Sequence, residues 1–372
     1  MNWEYVQPVA IRFGCGVRKE IKTAAGTLHC RKGLLVSDPF FVKNGLAERI
    51  VEESEGMLGG IFGEISPNPD VEEADACAKK IREQGYDFVA ALGGGSALDC
   101  AKAAASICFT DDSIRKYHGT GKKLPKEHLP LIAIPTTAGT GSEVTCVSVL
   151  TDHGNGKKTP IVSENFYPAF ALIDPELTYS MPSKVTASTG IDVLCHALEG
   201  FWSKGHQPVC DALALHSCKL VFAYLGRACK NGSDAEAREK MAEASVIAGM
   251  AFTLPKTTAP HACSFPLTNL YHIPHGEACG LTLDYFTRIN AGAENGRLET
   301  FAKEAGFESA GHLADAIDAL KKETGLRRDL KDLHLGKSQI EELVRISRHP
   351  NLYHNPVEVT DEMLHEMYRL LA

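Results

Sequence analysis

A chain of 372 residues with 44% hydrophobic and 23% charged residues has the make-up of a globular protein, and its length favours two hydrophobic cores over one. A formal net charge of −8 gives no footprint for nucleic acid, Met1 to Ile11 carries Glu4 and no apolar run, and no stretch approaches the roughly 20 apolar residues of a membrane span; neither nucleic acid nor a membrane is expected as a partner. The 12 cysteines are scattered without a CxxC pair, the pattern of reduced thiols in a cytoplasmic protein.

The first half alternates short apolar runs with amphipathic segments. Residues 33–37 run into Asp38, 87–92 into three glycines, 131–134 into Pro135-Thr136-Thr137, and 169–173 into Asp174-Pro175. Continuous apolar runs closed by turn residues are the signature of parallel strands covered on both faces. Between them, Ala74, Cys77, Ala78 and Ile81 share one face of a helix predicted over Val71 to Gln84. This alternation predicts an α/β domain over residues 1–181, with its ligand crevice at the carboxyl ends of the strands. Beyond Met181 only helical patterns follow, over 185–203, 211–229, 234–251, 311–324, 337–347 and 360–371. An all-helical domain over 182–372 is expected, and the cleft between the domains is then the default site.

Gly93-Gly94-Gly95-Ser96 follows a predicted strand and opens a predicted helix. Bare glycines let a backbone approach an anion, and the helix N-terminus adds partial positive charge. Leu98 stands where a GxGxxG fingerprint would close, so a tight turn without a ligand competes with nucleotide binding. The next strand ends in the hydroxyl-rich Pro135 to Glu143, suited to pyrophosphate and ribose. Asp38 is placed either to face an adenosine ribose or to cap a helix before Pro39. Asp192 and His196 sit four residues apart in a helical pattern, and His261 and His275 lie beside prolines. One carboxylate with three imidazoles suits a divalent first-row metal with an open position. Spacing alone leaves a solvated helix face equally open.

In order along the chain stand Gly93-Gly94-Gly95-Ser96-x-x-Asp99-x-x-Lys102, Pro135-Thr136-Thr137-Ala138-Gly139-Thr140-Gly141-Ser142-Glu143, Gly190-Ile191-Asp192-x-x-x-His196-Ala197 and Tyr271-His272-Ile273-Pro274-His275-Gly276. From about Pro8 onward the chain resembles the iron-containing (type III) alcohol dehydrogenase family. The resemblance implies a Rossmann-like α/β N-terminal domain, an all-α C-terminal domain, and a metal-dependent NAD(P)-linked alcohol dehydrogenase or aldehyde reductase acting on a small alcohol or aldehyde. By motif position it implies Asp192, His196, His261 and His275 as metal ligands. It implies Asp38, Asn68, Gly94, Gly95, Ser96, Asp99, Thr136, Thr137, Thr140, Ser142, Lys158 and Leu177 as cofactor-binding residues.

NAD(H) is expected over NADP(H) because Asp38 would repel a 2′-phosphate. Fe2+ is expected, with Zn2+ able to bind; a homodimer or higher homo-oligomer is expected as the assembly. Where many relatives have a relay histidine this chain has Phe265, so Phe265 is expected to wall an apolar pocket. Proton delivery then falls to water, ribose hydroxyls or His272. Glu199 is expected as a surface or capping charge, with orientation of a ligand as its alternative. A general short-chain aldehyde is expected as substrate. The run from Lys256 through Thr268 also resembles the branch of phosphonoacetaldehyde reductases; a cation at Lys256 with neighbouring hydroxyls suits an anionic tail, the competing reading being that Lys256 ends a helix and faces solvent. A lyase like the dehydroquinate synthases and a non-catalytic binding protein are the rival readings.

Overall fold

The structure, a computed structural model, describes residues 2–154, 156–293 and 296–372. It divides into two compact units, Val6–Thr137 with Gly141–Thr178, and Met1–Tyr5 with Ala138–Thr140 and Tyr179–Ala372.

The first unit runs β1 (Ala10–Phe13), α1 (Ile21–Thr27), β2 (Gly33–Ser37), α2 (Pro39–Lys43), α3 (Leu46–Glu53), β3 (Leu58–Phe62), α4 (Val71–Gln84), β4 (Phe88–Gly93), α5 (Gly95–Ile107), β5 (Leu131–Pro135), β6 (Val147–Asp152), β7 (Lys157–Val162) and β8 (Phe170–Ile173). Six strands form one sheet in the order β1-β8-β5-β4-β2-β3, with parallel pairing throughout. β6 and β7 form a separate antiparallel pair. Alternate residues of the inner strands point to opposite faces. Leu34, Val36, Val89, Ala91, Leu131 and Ala133 pack with α4 and α5. Leu35, Ala90, Leu92, Ile132, Ile134 and Leu172 pack with Ile21 of α1 and Ala47 and Ile50 of α3. Both faces are covered, which is why these strands read as unbroken apolar runs. α4 starts on a capping box between Asp70 and Glu73 and stops at Gly85 (φ 64), a left-handed position suited to glycine.

The chain goes from β2 outward to β3 and returns to place β4 on the other side of β2. The connections after β2 and β4 therefore diverge, and the carboxyl ends of these strands frame a topological switch point. Asp38 and Gly93–Ser96 lie there.

The second unit contains α6 (Ser183–Trp202), α7 (Pro208–Lys230), α8 (Ala235–Phe252), α9 (Ala259–Tyr271), α10 (His275–Ala291), α11 (Arg297–Glu304), α12 (Ala310–Glu323), α13 (Lys337–Ser347) and α14 (Asp361–Leu371), and no strand among the described residues. α9, α10 and α11 are additions to the helices predicted from periodicity. Ile191, Leu194 and Leu198 of α6 share a core with Val221 and Leu225 of α7, Ala248 of α8 and Phe286 of α10. Contrary to the compositional expectation, α7 is long and apolar enough by length and composition to cross a membrane. In this fold its Cys210, Ala214, Cys218, Val221 and Leu225 are buried, and it packs along α6 and α8.

Candidate functional site

The buried face of α6 carries Asp192 and His196 one turn apart, only 3% and 5% exposed, which removes the solvated-face reading. His261 stands in the first turn of α9 and His275 at the first residue of α10. Glycine brings α10 to α6. A Cβ at Gly276 would lie 2.0 Å from Ser188 O and 2.8 Å from Asp192 Cβ. Only a residue without a side chain allows this approach, which sets His275 beside Asp192.

His261 Nε2 lies 3.1 Å from His196 Nε2 and 3.6 Å from Asp192 Oδ1. Donor atoms of Asp192, His261, His275 and Cys279 all lie within 4.8 Å of one another. Glu199, one turn beyond His196, is fully buried. Its Oε1 accepts from Thr258 N (2.7 Å), Thr258 Oγ1 (3.1 Å) and His261 N (3.3 Å), while Oε2 accepts from His261 Nδ1. The bond to Nδ1 fixes the tautomer and turns the Nε2 lone pair toward His196 and Asp192. The expected surface charge is thus corrected: Glu199 is a buried cap of α9, where Pro260 has no N–H to offer, and it also orients His261.

Burial pushes the Asp192 carboxyl up from its ordinary range, with His275 and His261 opposing. Burial, reinforced by His261, pushes His196 down to about 3. Burial acts to lower His261 as well, but Glu199 and Asp192 outweigh it and raise that group. Two imidazole nitrogens therefore converge with a carboxylate whose Oδ1 is buried without a hydrogen-bond partner. Left unpaired, such a group is costly; a cation among these donors removes the cost. A set of one oxygen and three nitrogens fits a divalent first-row metal.

Around this cluster, Phe252 stacks on His196 with ring centroids 4.1 Å apart. Phe265 faces His275 at 6.4 Å and packs on His349 at 4.6 Å. His272 is exposed and forms the left-handed C-cap of α9 (φ 54). Phe252 and Cys279 had no place in the sequence reading. The spacing of Cys279, four residues after His275, is the signal that could have found it.

In the α/β unit, Asp38 accepts from Phe40 N at 3.1 Å as the cap of α2, and its own N–H donates to Leu92 O at 3.2 Å. The turn at Gly93 (φ 155) requires glycine, since a Cβ there would lie 2.6 Å from Ala97 Cβ. Gly94 caps α5, and Gly95 and Ser96 open it. Ser96 Oγ accepts from Asn68 N at 3.3 Å, and Asn68 Oδ1 from Lys158 Nζ at 2.7 Å. Asp99 accepts from Ser142 Oγ (2.9 Å) and Val149 N (3.0 Å). Burial holds Asp99 above its ordinary range, with Lys102 opposing. Lys102, 1% exposed, donates to Ser142 Oγ and Val147 O, both at 2.8 Å, and burial pushes it down to about 8. Glu143 is buried without an ion pair among the described residues and is pushed up to about 7 by burial. Thr136 is buried with an unpartnered Oγ1, Thr137 lies against Gly94, and Leu177 is buried. Thr140 belongs to the helical unit.

The family model "Iron-containing alcohol dehydrogenase" matches residues 8–175, and "Fe-containing alcohol dehydrogenase family, C-terminal" matches residues 186–371. The chain belongs to the iron-containing alcohol dehydrogenase family. It is an oxidoreductase acting on the CH–OH group, an alcohol dehydrogenase or aldehyde reductase, and the family implies a metal. Among solved structures it is similar to the sulfoacetaldehyde reductase of Bifidobacterium kashiwanohense in complex with NAD+, with 62% identity, a TM-score of 0.98, and coverage of 100% of this chain and 99% of that one. The NAD-dependent methanol dehydrogenase of Bacillus methanolicus is 33% identical over 87% of this chain and 85% of its own. The sulfoacetaldehyde reductase of Bilophila wadsworthia is 37% identical over 74% and 72%. These matches displace the lyase and non-catalytic readings.

Proposed function

We propose that this protein is an NAD(H)-linked, metal-dependent reductase of a short anionic aldehyde of the sulfoacetaldehyde type. The observation that carries the proposal is the 62% identity, across the whole chain, to a sulfoacetaldehyde reductase solved with NAD+. It moves the anionic reading ahead of the general aldehyde, and the tail from phosphonate to sulfonate.

Residues 1–181 act as the nucleotide-binding domain and 182–372 as the metal-binding one. Asp192, His196, His261 and His275 hold the ion, Fe2+ in the cell with Zn2+ as a competitor. The ion supplies Lewis-acid polarisation of the carbonyl, and NADH supplies the hydride. Glu199 keeps His261 in the tautomer that presents Nε2, and Phe252 and Phe265 shield the imidazoles from water. Phe265 cannot exchange a proton, so the new hydroxyl takes its proton from water or a ribose hydroxyl; exposed His272 is the remaining candidate. Gly94, Gly95 and Ser96 take the pyrophosphate, and Asp38, at the switch point, the adenosine ribose. Asn68, Asp99, Thr136, Thr137, Thr140, Ser142, Lys158 and Leu177 complete the coenzyme site. The 12 free cysteines suit a cytoplasmic location, and the open edge of β1, with Phe13 exposed, suits a homo-oligomer.

Lys256 supports the anionic substrate. It lies beyond the end of α8 in a left-handed conformation (φ 75), half-buried, with no ion pair to a carboxylate among the described residues. Burial, Lys256 and Lys204 together hold His354 below its ordinary range, so Lys256 sits in a cationic neighbourhood. The test compares kcat/KM with NADH for sulfoacetaldehyde, phosphonoacetaldehyde and propanal. Sulfoacetaldehyde should lead propanal by on the order of a hundredfold, the equivalent of about 3 kcal/mol for a charged hydrogen-bond partner. Lys256→Met should shrink that ratio. Equal use of propanal would leave a general short-chain aldehyde reductase.

A further inference from the structure

We propose that Cys279 gives the metal centre a second donor set, Asp192–His261–His275–Cys279, which captures thiophilic ions such as Zn2+ and Cd2+ in a closed, substrate-excluding geometry. The proposal rests on the metal centre described above and adds a donor that the motif-derived set lacks.

His275 and Cys279 lie one turn apart on α10, so both side chains project toward the same neighbour. Cys279 Sγ is 3.8 Å from His275 Nε2, and the four donor atoms lie within 4.8 Å of one another. A tetrahedral ion with bonds of about 2.0–2.3 Å holds its donors about 3.3–3.8 Å apart, so shifts of an ångström or less close the set. Cys279 is fully buried and Asp192 is 3% exposed, so neither donor is satisfied by bulk water, and Asp192 Oδ1 has no hydrogen-bond partner. That buried oxygen, shared by both donor sets, marks a place for a cation among these groups, and the closeness of Cys279 brings its sulfur within reach of it.

The two sets share Asp192, His261 and His275. They differ in whether His196 or Cys279 completes them, and donor softness decides between them. Imidazole and carboxylate suit Fe2+, whereas a thiolate selects Zn2+ and softer ions. On binding, the sulfur–metal bond replaces the Cys279 S–H bond, the proton leaves to water, and nothing is oxidised or reduced. Four protein donors around a tetrahedral ion leave no position for a substrate oxygen, the arrangement of a structural site. Iron, taking more ligands, keeps a position open on the His196 set.

The test loads the metal-free full-length enzyme with Co2+, counts bound metal by atomic absorption and records the optical spectrum. The wild type should bind Co2+ and show a near-ultraviolet thiolate-to-cobalt charge-transfer band. Cys279→Ser and Cys279→Ala, checked for folding by thermal melts, should bind Co2+ without the band. Their affinity for Cd2+ should fall by about a hundredfold or more, beyond the 10–100-fold typical of losing a mere ligand-orienting partner. A wild type that binds Co2+ without the band overturns the second donor set and leaves the metal centre standing, whatever the variants do. A band that persists in a folded variant overturns it equally. A wild type that binds no Co2+ overturns the metal centre and this proposal with it.

Discussion

Replacing Gly276 by Ala isolates the contact that brings His275 to Asp192. Helix propensity alone favours the change, since Ala in a helix is worth roughly 0.5–1 kcal/mol over Gly. The packing opposes it. The new Cβ would lie 2.0 Å from the Ser188 carbonyl oxygen, a backbone atom inside α6 that cannot rotate away, and 2.8 Å from Asp192 Cβ. Restoring a tolerable contact requires α10 to withdraw from α6 by about 1 Å, and overpacking of this kind costs about 1–3 kcal/mol. The clash wins, so stability should fall by about 1–2 kcal/mol net, or several degrees in Tm for a unit of this size. Because the displaced turn carries His275, activity should fall further than stability; an ångström of misplacement at a reacting centre costs about a hundredfold. Thermal melts, bound metal per chain and kcat/KM measured on one preparation check this. A variant with wild-type metal content and rate, and with the raised Tm that propensity alone predicts, would refute the claim that this glycine sets the distance between α6 and α10.

Glu199→Gln keeps the shape but removes the charge that His261 Nδ1–H and the start of α9 share; metal affinity should drop by about 10–100-fold in a chelator competition, and unchanged affinity would reduce Glu199 to a cap. Asp38→Gly should narrow or reverse the preference for NADH over NADPH in kcat/KM, and a wild type that uses both equally would remove Asp38 from the ribose. Glu143 has a folded-state pKa raised to about 7 from an ordinary 4.5, so its stabilising protonation is complete below about pH 4.5 and lost as pH rises to 7. Glu143→Gln should flatten the fall in stability over that window and gain up to about 3 kcal/mol on the wild type at pH 8, read from urea melts at several pH values; parallel curves for the two proteins would count against a neutral buried carboxyl.

Burial governed what could be read in the sequence. The four apolar runs became β2, β4, β5 and β8, the strands with a neighbour on each side, because residues covered on both faces must be apolar throughout. The edge strands escaped: β1 keeps Ala10 and Phe13 exposed, and β3 contains Gly59 and Gly60. β6 alternates partly exposed and buried residues, β7 buries only Ile161, and the pair sits apart from the main sheet, so it too gave no run. α4 was legible to its last residue because Asp70, Glu73 and Gly85 mark both ends. The helices bearing His261 and His275 were not. Pro260 and Pro266 interrupt the pattern of α9, and α10 begins at His275 straight after a proline, so the two helices bearing these histidines read as loop. Asp192 and His196 were visible by spacing, as was the four-residue step from His275 to Cys279, but the burial of Asp192 and His196 and the bonds of Glu199 to the start of α9 appear only in the fold.

The two oxygens of Glu199 serve different ends: Oε1 completes the first turn of α9, and Oε2 holds the His261 ring. Helix formation and metal affinity therefore share one side chain. For protein engineers this divides the neighbourhood into positions that can be varied and one that cannot. Changes at Cys279 alter which ion is chosen while the start of α9 stays intact. Changes at Glu199 would retune the ion and loosen the backbone that carries its ligand at once, so libraries meant to shift metal preference should hold residue 199 fixed.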